Sequence, residues 1–234
     1  MDLLELASHM DATQVQSNVT EKDIDDLIKQ SVKYGFAAAF VLPCYMNHVK
    51  MGLDGTRVHT GGVVGFPSGG ELTETKLYET RQNIALGAEE VDMVINVGWL
   101  LSGKYDWVRD EIKAVKDITG DIPLKCIIEI SLLPEDYAKR ACELVIEGGG
   151  DYVKTATGWV APTTLDQVKL IKSVVGDSVY IKAAGGIRSR QTALDFLEAG
   201  AHRLGISVRN AVKIPVSYTH LDVYKRQIWT SLFP

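Results

Sequence analysis

Short runs of β-branched and other apolar residues alternate along the chain with amphipathic stretches of about 10–15 residues. This alternation is typical of βα units that repeat around a parallel sheet. It predicts eight strands, near Ala7–Met10, Ala37–Leu42, Val58–Gly65, Glu90–Asn96, Leu124–Ile130, Tyr152–Lys154, Tyr180–Ala183 and Arg203–Ile206.

The helical stretches between these strands have recognisable ends. Thr20 is followed three residues later by Asp23, which resembles a capping box, and Thr164 precedes the helical pattern of Leu165–Val175. Five glycines follow helical stretches in the position of a C-terminal cap: Gly35, Gly87, Gly148, Gly176 and Gly200.

The number of units favours a closed barrel. Eight units in 234 residues average about 29 residues each, which suits an α/β fold of the (β/α)8 or TIM-barrel class. An open, doubly wound sheet is the alternative, and it is disfavoured because no GxGxxG motif opens the first helix. Polar residues that recur at several strand ends also favour the barrel. We therefore predict one barrel domain over residues 1–213.

The final segment, residues 214–234, does not continue this pattern. It has neither strand alternation nor a helical period, although it occupies the place of the helix that should cover the eighth and first strands. Only Val208–Lys213 could begin that helix, so we expect the helix to be atypical or incomplete. From about Pro215 onward the segment is either a foreign or frame-shifted extension that replaces a native C-terminus, or a divergent tail.

Composition narrows the class of protein. With 46% hydrophobic and 24% charged residues, the chain is long and apolar enough to bury a substantial core. Its 25 Lys and Arg residues are scattered among 30 Asp and Glu residues, which argues against a nucleic-acid partner. No apolar run approaches the roughly 18 residues of a membrane span, and the N-terminus does not resemble an export signal. We therefore expect no nucleic-acid and no membrane partner.

Neither the cysteines nor the histidines form a recognisable redox or metal motif. Cys44, Cys126 and Cys142 are too few for a disulfide framework and show no CxxC spacing, which indicates a reducing, cytoplasmic setting. His9 and His59 lie on or beside the first and third predicted strands, but no HxH, HExxH or matching acidic set accompanies them. We expect hydrogen-bonding histidines, no metal and no other cofactor.

Strand alternation turns several charged side chains toward the barrel interior. In a barrel strand, alternate side chains face the lumen and the helix layer, and the helix layer requires apolar groups. In the fourth strand the apolar Val91 and Met93 face the helices, so Asp92 and Asn96 face the lumen. The rule places five ionisable side chains inside the barrel: Asp92, Lys125, Glu129, Lys154 and Lys182.

Buried charges are costly unless they are paired or used in chemistry. Lys125 and Glu129 could form no more than a structural ion pair. Lys154 and Lys182 are different, because both end their strands on the side where barrel active sites lie. They are 28 residues apart, one βα unit, so their strands are neighbours at about 4.8 Å. One of these lysines can be a neutral amine that forms a Schiff base, while Asp92 and the other lysine transfer protons.

Glycines after the last strands predict a phosphate site. Gly185 and Gly186 follow the seventh strand, and Gly205 and Ser207 lie at the eighth. Backbone without side chains can approach an anion closely, and the loops at this end of a barrel frequently bind phosphate. Together with Gly158 after the sixth strand, these residues predict a phosphorylated substrate.

The chain contains five recognisable segments: Val63–Pro67, Glu90–Gly98, Lys125–Glu129, Lys154–Gly158 and Ile181–Arg188. In consistent order, from about residue 20 to about residue 210, the chain resembles the deoxyribose-phosphate aldolases, a family of class I aldolases. The resemblance implies a (β/α)8 aldehyde-lyase without a cofactor. Such an enzyme reversibly cleaves 2-deoxy-D-ribose 5-phosphate to acetaldehyde and D-glyceraldehyde 3-phosphate.

The same resemblance implies a role for each matching residue. Lys154 would form the Schiff base, Lys182 would tune it and take part in proton transfer, and Asp92 would donate and accept protons. The phosphate-binding residues would be Gly158, Gly185, Gly186, Gly205 and Ser207. The implied partner is a small-molecule sugar phosphate.

The chain departs from the family pattern in three places. The family usually has an Asp-His-Thr-like segment where this chain has Ser8–Asp11, and a small-residue run where Val208–Asn210 follows Ser207. Tyr218 and Tyr224 lie in the atypical tail, so neither is given the role of the family's C-terminal tyrosine. Two alternatives therefore stay open: a Schiff-base aldolase for another sugar phosphate, and a non-catalytic barrel that binds a phosphorylated sugar. The oligomeric state is open too, with a homodimer among the alternatives.

Overall fold

Eight parallel strands close into a barrel in the computed structural model, which describes residues 1–216. The strands are β1 Met10–Gln14, β2 Ala38–Val41, β3 His59–Val64, β4 Glu90–Val94, β5 Leu124–Ile127, β6 Tyr152–Lys154, β7 Tyr180–Ala184 and β8 Arg203–Ser207. Each strand pairs with the next in chain order, and β8 pairs with β1 from Met10 and Leu204 onward. The predicted (β/α)8 fold is confirmed.

Helices connect successive strands and cover the outside of the barrel. They are α1 Leu3–Ala7, α2 Glu21–Tyr34, α3 Met46–Leu53, α4 Thr73–Ala85, α5 Val97–Leu101, α6 Tyr105–Thr119, α7 Glu135–Glu147, α8 Leu165–Val175, α9 Arg190–Glu198, α10 Val208–Ala211 and α11 Lys213–Val216. Short 3-10 turns span Pro43–Tyr45 and Ile130–Leu132. Over residues 1–216, no helix combines the length and the apolar character needed to cross a bilayer.

Local hydrogen bonds define two of the predicted helix starts. The side chain of Thr20 accepts a hydrogen bond from the backbone N–H of Asp23, whose carboxylate accepts one from the N–H of Thr20. The same reciprocal arrangement joins Thr164 to Gln167 at the start of α8. Helix α2 ends at Gly35, where a φ of 66° gives a left-handed cap. These starts and this end agree with the sequence prediction.

The first strand lies further along the chain than the sequence predicts. The prediction of a strand over Ala7–Met10 is wrong, because Leu3–Ala7 forms α1 and β1 spans Met10–Gln14. A capping box between Asp2 and Glu5 satisfies two backbone N–H groups, so this apolar run begins as a helix. The later position of β1 brings Asp11 into the charged lumen.

Strands β4 and β5 end two and three residues earlier than predicted. Strand β4 stops at Val94, and Asn96 caps α5 by accepting a hydrogen bond from the N–H of Trp99 at 3.0 Å. Strand β5 stops at Ile127, and Glu129 adopts a left-handed conformation with a φ of 47°. The inward alternation of each strand therefore ends before Asn96 and Glu129.

The main apolar core lies between the strands and the helices, and a smaller apolar cluster lies apart from it. The smaller cluster consists of Val15, Ala38, Phe40 and Val63. The ring centroid of Phe40 is 3.7 Å from Nζ of Lys182 and 4.8 Å from Nζ of Lys125. Because an aromatic face attracts a cation, the ring of Phe40 makes favourable cation–π contacts with both lysines in the lumen.

The described chain ends in two short helices, α10 and α11, of four residues each. The boundary of the barrel domain at residue 213 and the interpretation of the tail from Pro215 stay predictions. Tyr218 and Tyr224 lie outside the described residues.

Gly69→Ala is expected to destabilise the fold more than Gly103→Ala. The two glycines have similar φ values, 68° and 70°, so a side chain meets the same backbone cost at both. A Cβ at Gly69 would overlap the carbonyl oxygen of Ile95, whereas one at Gly103 would meet no atom of residues 1–216 within 4 Å. We expect Gly69→Ala to lose about 2 kcal/mol more free energy of unfolding, measured by urea denaturation. Equal losses would contradict this packing argument.

Candidate active site

The carboxylate of Asp92 joins two lysines inside the barrel. Its Oδ2 accepts a hydrogen bond from Nζ of Lys154 at 2.6 Å and another from Nζ of Lys182 at 2.7 Å. Strand register explains the convergence, because Lys154 and Lys182 are direct partners on β6 and β7 and Asp92 lies on β4. All three side chains are buried. The structure thus brings together the three residues that the sequence singles out for catalysis.

Burial and neighbouring charges set the protonation of this cluster. Burial lowers the pKa of Lys154 to about 8; the Asp92 carboxylate opposes this shift and the Lys182 ammonium adds to it. Burial would raise the pKa of Asp92, but the ammonium groups of Lys154, Lys182 and Lys125 together lower it to about 2. Near neutral pH, Asp92 is therefore charged while Lys154 can release its proton.

A second carboxylate, Asp11, also contacts Lys182. Its Oδ2 lies 2.7 Å from Nζ of Lys182 and 3.9 Å from Nζ of Lys125, and its Oδ1 accepts a hydrogen bond from Arg203. Two buried carboxylates therefore flank the Lys182 ammonium. Strand alternation does not predict Asp11, because the predicted first strand ends at Met10. The capping box that begins at Asp2 is the signal that could correct this.

Glu90, the first residue of β4, binds a lower layer of cations. It accepts hydrogen bonds from Lys125 and Arg203, and its Oε1 lies 2.8 Å from Nδ1 of His59. Burial would raise the pKa of Glu90, but the hydrogen bond from His59 and the two cations lower it well below its usual range. That hydrogen bond in turn raises the pKa of His59. Extending the alternation of β4 back by one step from Asp92 would find Glu90.

Apart from His59 at the rim, the ion network of residues 1–216 in the lumen contains four cations and three carboxylates. They are Lys125, Lys154, Lys182 and Arg203, and Asp11, Glu90 and Asp92. One positive charge is in excess when every group is ionised, and a buried unmatched charge is costly. Loss of the Lys154 proton balances the network. Burial would also lower the pKa of Lys125, but the carboxylates of Asp11, Asp92 and Glu90 have the larger combined effect and raise that pKa.

The predicted ion pair between Lys125 and Glu129 is wrong. Lys125 binds Glu90 instead, while Oε2 of Glu129 accepts a hydrogen bond from the backbone N–H of Thr157 at 3.0 Å. The physical cause is the early end of β5 at Ile127, after which the left-handed backbone at Glu129 breaks the strand alternation. Glu129 thus contacts the candidate site by its hydrogen bond to the backbone N–H of Thr157, a residue that lines the cavity.

A cavity of about 230 Å³ opens beside Lys154. Its lining contains all five residues predicted to bind phosphate: Gly158, Gly185, Gly186, Gly205 and Ser207. Arg188 and Asn210 line the same cavity, and sequence reasoning assigns a role to neither. Both side chains can donate hydrogen bonds to an anion. The proximity of Arg188 to the Gly185–Gly186 pair is the signal that could have found it.

Close packing of two glycine turns shapes this cavity. The φ values are 84° at Gly158, 95° at Gly185 and 80° at Gly186, all in the region that favours glycine. A Cβ at Gly158 would lie 3.7 Å from Cα of Gly185, and one at Gly186 would collide with Pro162. The turns after β6 and β7 therefore pack together at the cavity, and the contact between Gly186 and Pro162 leaves no space for a side chain at residue 186.

The histidines singled out by the sequence make hydrogen bonds. Nδ1 of His9 lies 2.9 Å from the carbonyl oxygen of His202, and His59 contacts Glu90. Within residues 1–216, no group of three or more His, Cys, Asp and Glu side chains is arranged to hold a metal ion. All three cysteines are free thiols.

Sequence comparison relates the chain to a family of aldolases. The family described as DeoC/LacD family aldolase matches residues 2–210. A deoxyribose-phosphate aldolase from Streptococcus equi subsp. zooepidemicus is 41% identical over 205 residues, which cover 87% of this chain and 93% of the relative. A deoxyribose-phosphate aldolase from Streptococcus pneumoniae serotype 19F is 42% identical over 210 residues, which cover 89% and 96%.

Solved structures give the same relationship. An aldolase named QR15 superposes with a TM-score of 0.87 at 33% identity, covering 96% of this chain and 98% of that one. The deoxyribose phosphate aldolase from Aeropyrum pernix superposes with a TM-score of 0.86 at 29% identity, covering 94% and 93%. Its structure is described as tetrameric.

Covalent labelling of Lys154 by a small aldehyde and cyanoborohydride should depend on pH with a midpoint near about 8. Only the neutral amine attacks an aldehyde, so the labelling rate should rise as the pH passes this value and then level off. Peptide mass spectrometry at a series of pH values measures this rate residue by residue.

Asp92→Asn is the matched variant for this measurement. The carboxylate favours the protonated form of Lys154, so its replacement by a neutral amide of similar shape should move the midpoint to lower pH. An unchanged midpoint, or a shift to higher pH, would contradict the electrostatic assignment.

Proposed function

Because this chain belongs to the DeoC/LacD family of aldolases, we propose that Lys154 is the amine that forms a Schiff base with the substrate. The protein is an aldehyde-lyase that reversibly cleaves 2-deoxy-D-ribose 5-phosphate to acetaldehyde and D-glyceraldehyde 3-phosphate.

The position of Lys154 on the cavity lining is the observation that most strongly supports its choice over the other lumen lysines. Lys154 combines this position with a pKa lowered to about 8 and a hydrogen bond to the buried Asp92. Lys182 has the same carboxylate partner but is fully buried and does not line that cavity. Lys154 is therefore the lysine that a substrate can reach.

The reaction follows from this arrangement. The neutral amine of Lys154 attacks C1 of the open-chain aldehyde, and loss of water gives a protonated imine, which withdraws electrons from the neighbouring bond. Removal of the proton from the C3 hydroxyl then breaks the C2–C3 bond, releases D-glyceraldehyde 3-phosphate and leaves an enamine on Lys154. Protonation of the enamine at C2 and hydrolysis release acetaldehyde. Asp92 and Lys182, joined by a hydrogen bond, transfer these protons.

The phosphate of the substrate would bind at the glycine turns. Gly158, Gly185, Gly186, Gly205 and Ser207 line the cavity that also contains Lys154. Backbone N–H groups in such turns bind phosphate oxygens without a side chain in the way. The excess positive charge of the lumen further favours an anionic substrate.

Two wider properties belong to the same proposal. Three free thiols suit a reducing, cytoplasmic compartment. We propose self-association as a homodimer or a larger assembly, an inference supported by the tetrameric relative from Aeropyrum pernix.

Lys154→Ala should lower kcat by more than about 1,000-fold, because the covalent route through the imine disappears. Lys113→Ala provides the control, since Lys113 is an exposed lysine on α6 paired with Asp117. Acetaldehyde release from 2-deoxy-D-ribose 5-phosphate measures activity, and circular dichroism checks that both variants remain folded. Undiminished turnover in Lys154→Ala would overturn the assignment.

Borohydride reduction in the presence of substrate gives a second readout. We expect one substrate-derived adduct on Lys154, located by peptide mass mapping. Saturable binding of 2-deoxy-D-ribose 5-phosphate without any adduct would favour the non-catalytic barrel. Faster cleavage of another sugar phosphate would favour an aldolase of different specificity.

A further inference from the structure

Glu129 combines backbone strain with a buried charge. In residues 1–216 it is the one residue other than glycine with a positive φ, 47°. Glu129 is 3% exposed, its Oε2 accepts a hydrogen bond from the N–H of Thr157, and its Oε1 has no hydrogen-bond partner among the described residues. A strained conformation persists only where the surrounding contacts require it, and such residues concentrate at functional sites.

The strained residue lies between two backbone contacts to the strand of Lys154. The N–H of Ile128 donates to the carbonyl oxygen of Lys154 at 3.0 Å, and the N–H of Ile130 donates to that of Thr155 at 2.9 Å. The left-handed turn at Glu129 makes room for both bonds while its carboxylate reaches Thr157. The segment that follows β5 therefore holds the chain from Lys154 to Thr157 at three points, at Lys154, Thr155 and Thr157.

Thr157 directly precedes Gly158 in the candidate phosphate cavity, which both residues line. Other contacts hold different parts of this loop. The hydroxyl of Thr155 donates to the carbonyl oxygen of Ala184, as does that of Thr163. Glu129 is the side chain that holds the backbone of Thr157, in the turn that packs against Gly185.

We propose that Glu129 is a positioning residue that fixes the Thr157–Gly158 turn in the conformation that binds the substrate phosphate. This inference rests on the proposed function of the cavity. A carboxylate suits the task because a hydrogen bond to a charged acceptor is stronger than one to a neutral acceptor. Glu129 acts through Thr157 and not by contact with the reacting atoms.

Glu129→Ala and Glu129→Gln test the proposal. Alanine removes the acceptor, whereas glutamine keeps an oxygen that can accept from Thr157. KM and kcat are measured with 2-deoxy-D-ribose 5-phosphate and with 2-deoxy-D-ribose, which lacks the phosphate. We expect Glu129→Ala to raise KM for the phosphorylated substrate about 10-fold and to change kcat/KM for 2-deoxy-D-ribose by less than about 3-fold. Glu129→Gln should restore most of the loss.

Glu111→Gln is the matched control, because Glu111 is a buried carboxylate that pairs with Lys76 and lies outside the lumen network. It should lower thermal stability without separating the two substrates. Equal losses on both substrates in Glu129→Ala would overturn the proposal, as would a Glu129→Gln variant as defective as Glu129→Ala.

Calorimetric titration with inorganic phosphate separates this proposal from the proposed function. Weaker phosphate binding in Glu129→Ala than in the unmodified protein supports the positioning role, and unchanged binding contradicts it. The borohydride adduct on Lys154 reports independently on the imine, so a missing adduct would reject the imine without changing the phosphate result.

Discussion

The carboxylate of Asp92 is the contact on which the arrangement of the lumen depends. It is fully buried and holds Lys154 and Lys182 within 2.7 Å. Barrel interiors are ordinarily filled with branched apolar side chains, and a buried charge is tolerated only when it is paired. Asp92 therefore makes two lysines possible in one small space. The pKa of Lys154 is lowered mainly by burial, and the neighbouring Lys182 ammonium adds to the shift.

The barrel gives this charged network a direction. Glu90 and Asp92 point into the same lumen one alternation step apart on β4, so their cations lie in two layers. The lower layer is balanced when every group is ionised, because its two cations, Lys125 and Arg203, face two carboxylates, Glu90 and Asp11. The excess positive charge therefore falls on the upper layer, where Lys154 meets the cavity. Lys154 thus combines a lowered pKa with a position on the lining of the cavity.

Strand alternation was sufficient to predict Asp92, Lys154 and Lys182, because β4, β6 and β7 are regular at those positions. It failed where local backbone chemistry overrode the strand pattern. A capping box begins a helix where the sequence predicts the first strand, so β1 lies further along the chain and includes Asp11. A left-handed backbone conformation at Glu129 directs its carboxylate to Thr157 and not to Lys125. Hydrophobic periodicity carries no information on such turns, so the partners of both carboxylates required the structure.

The same end of the barrel carries two costs to stability, which argues that neither serves folding. The first is the strained backbone at Glu129. The second is Lys154, whose pKa falls in the folded protein from 10.5 to about 8. Between these values the unfolded chain binds more protons, so this cost is fully present below pH 8 and is relieved as the pH rises toward 10.5. At neutral pH the fold therefore tolerates a penalty, and the proposed Schiff-base role of Lys154 accounts for it.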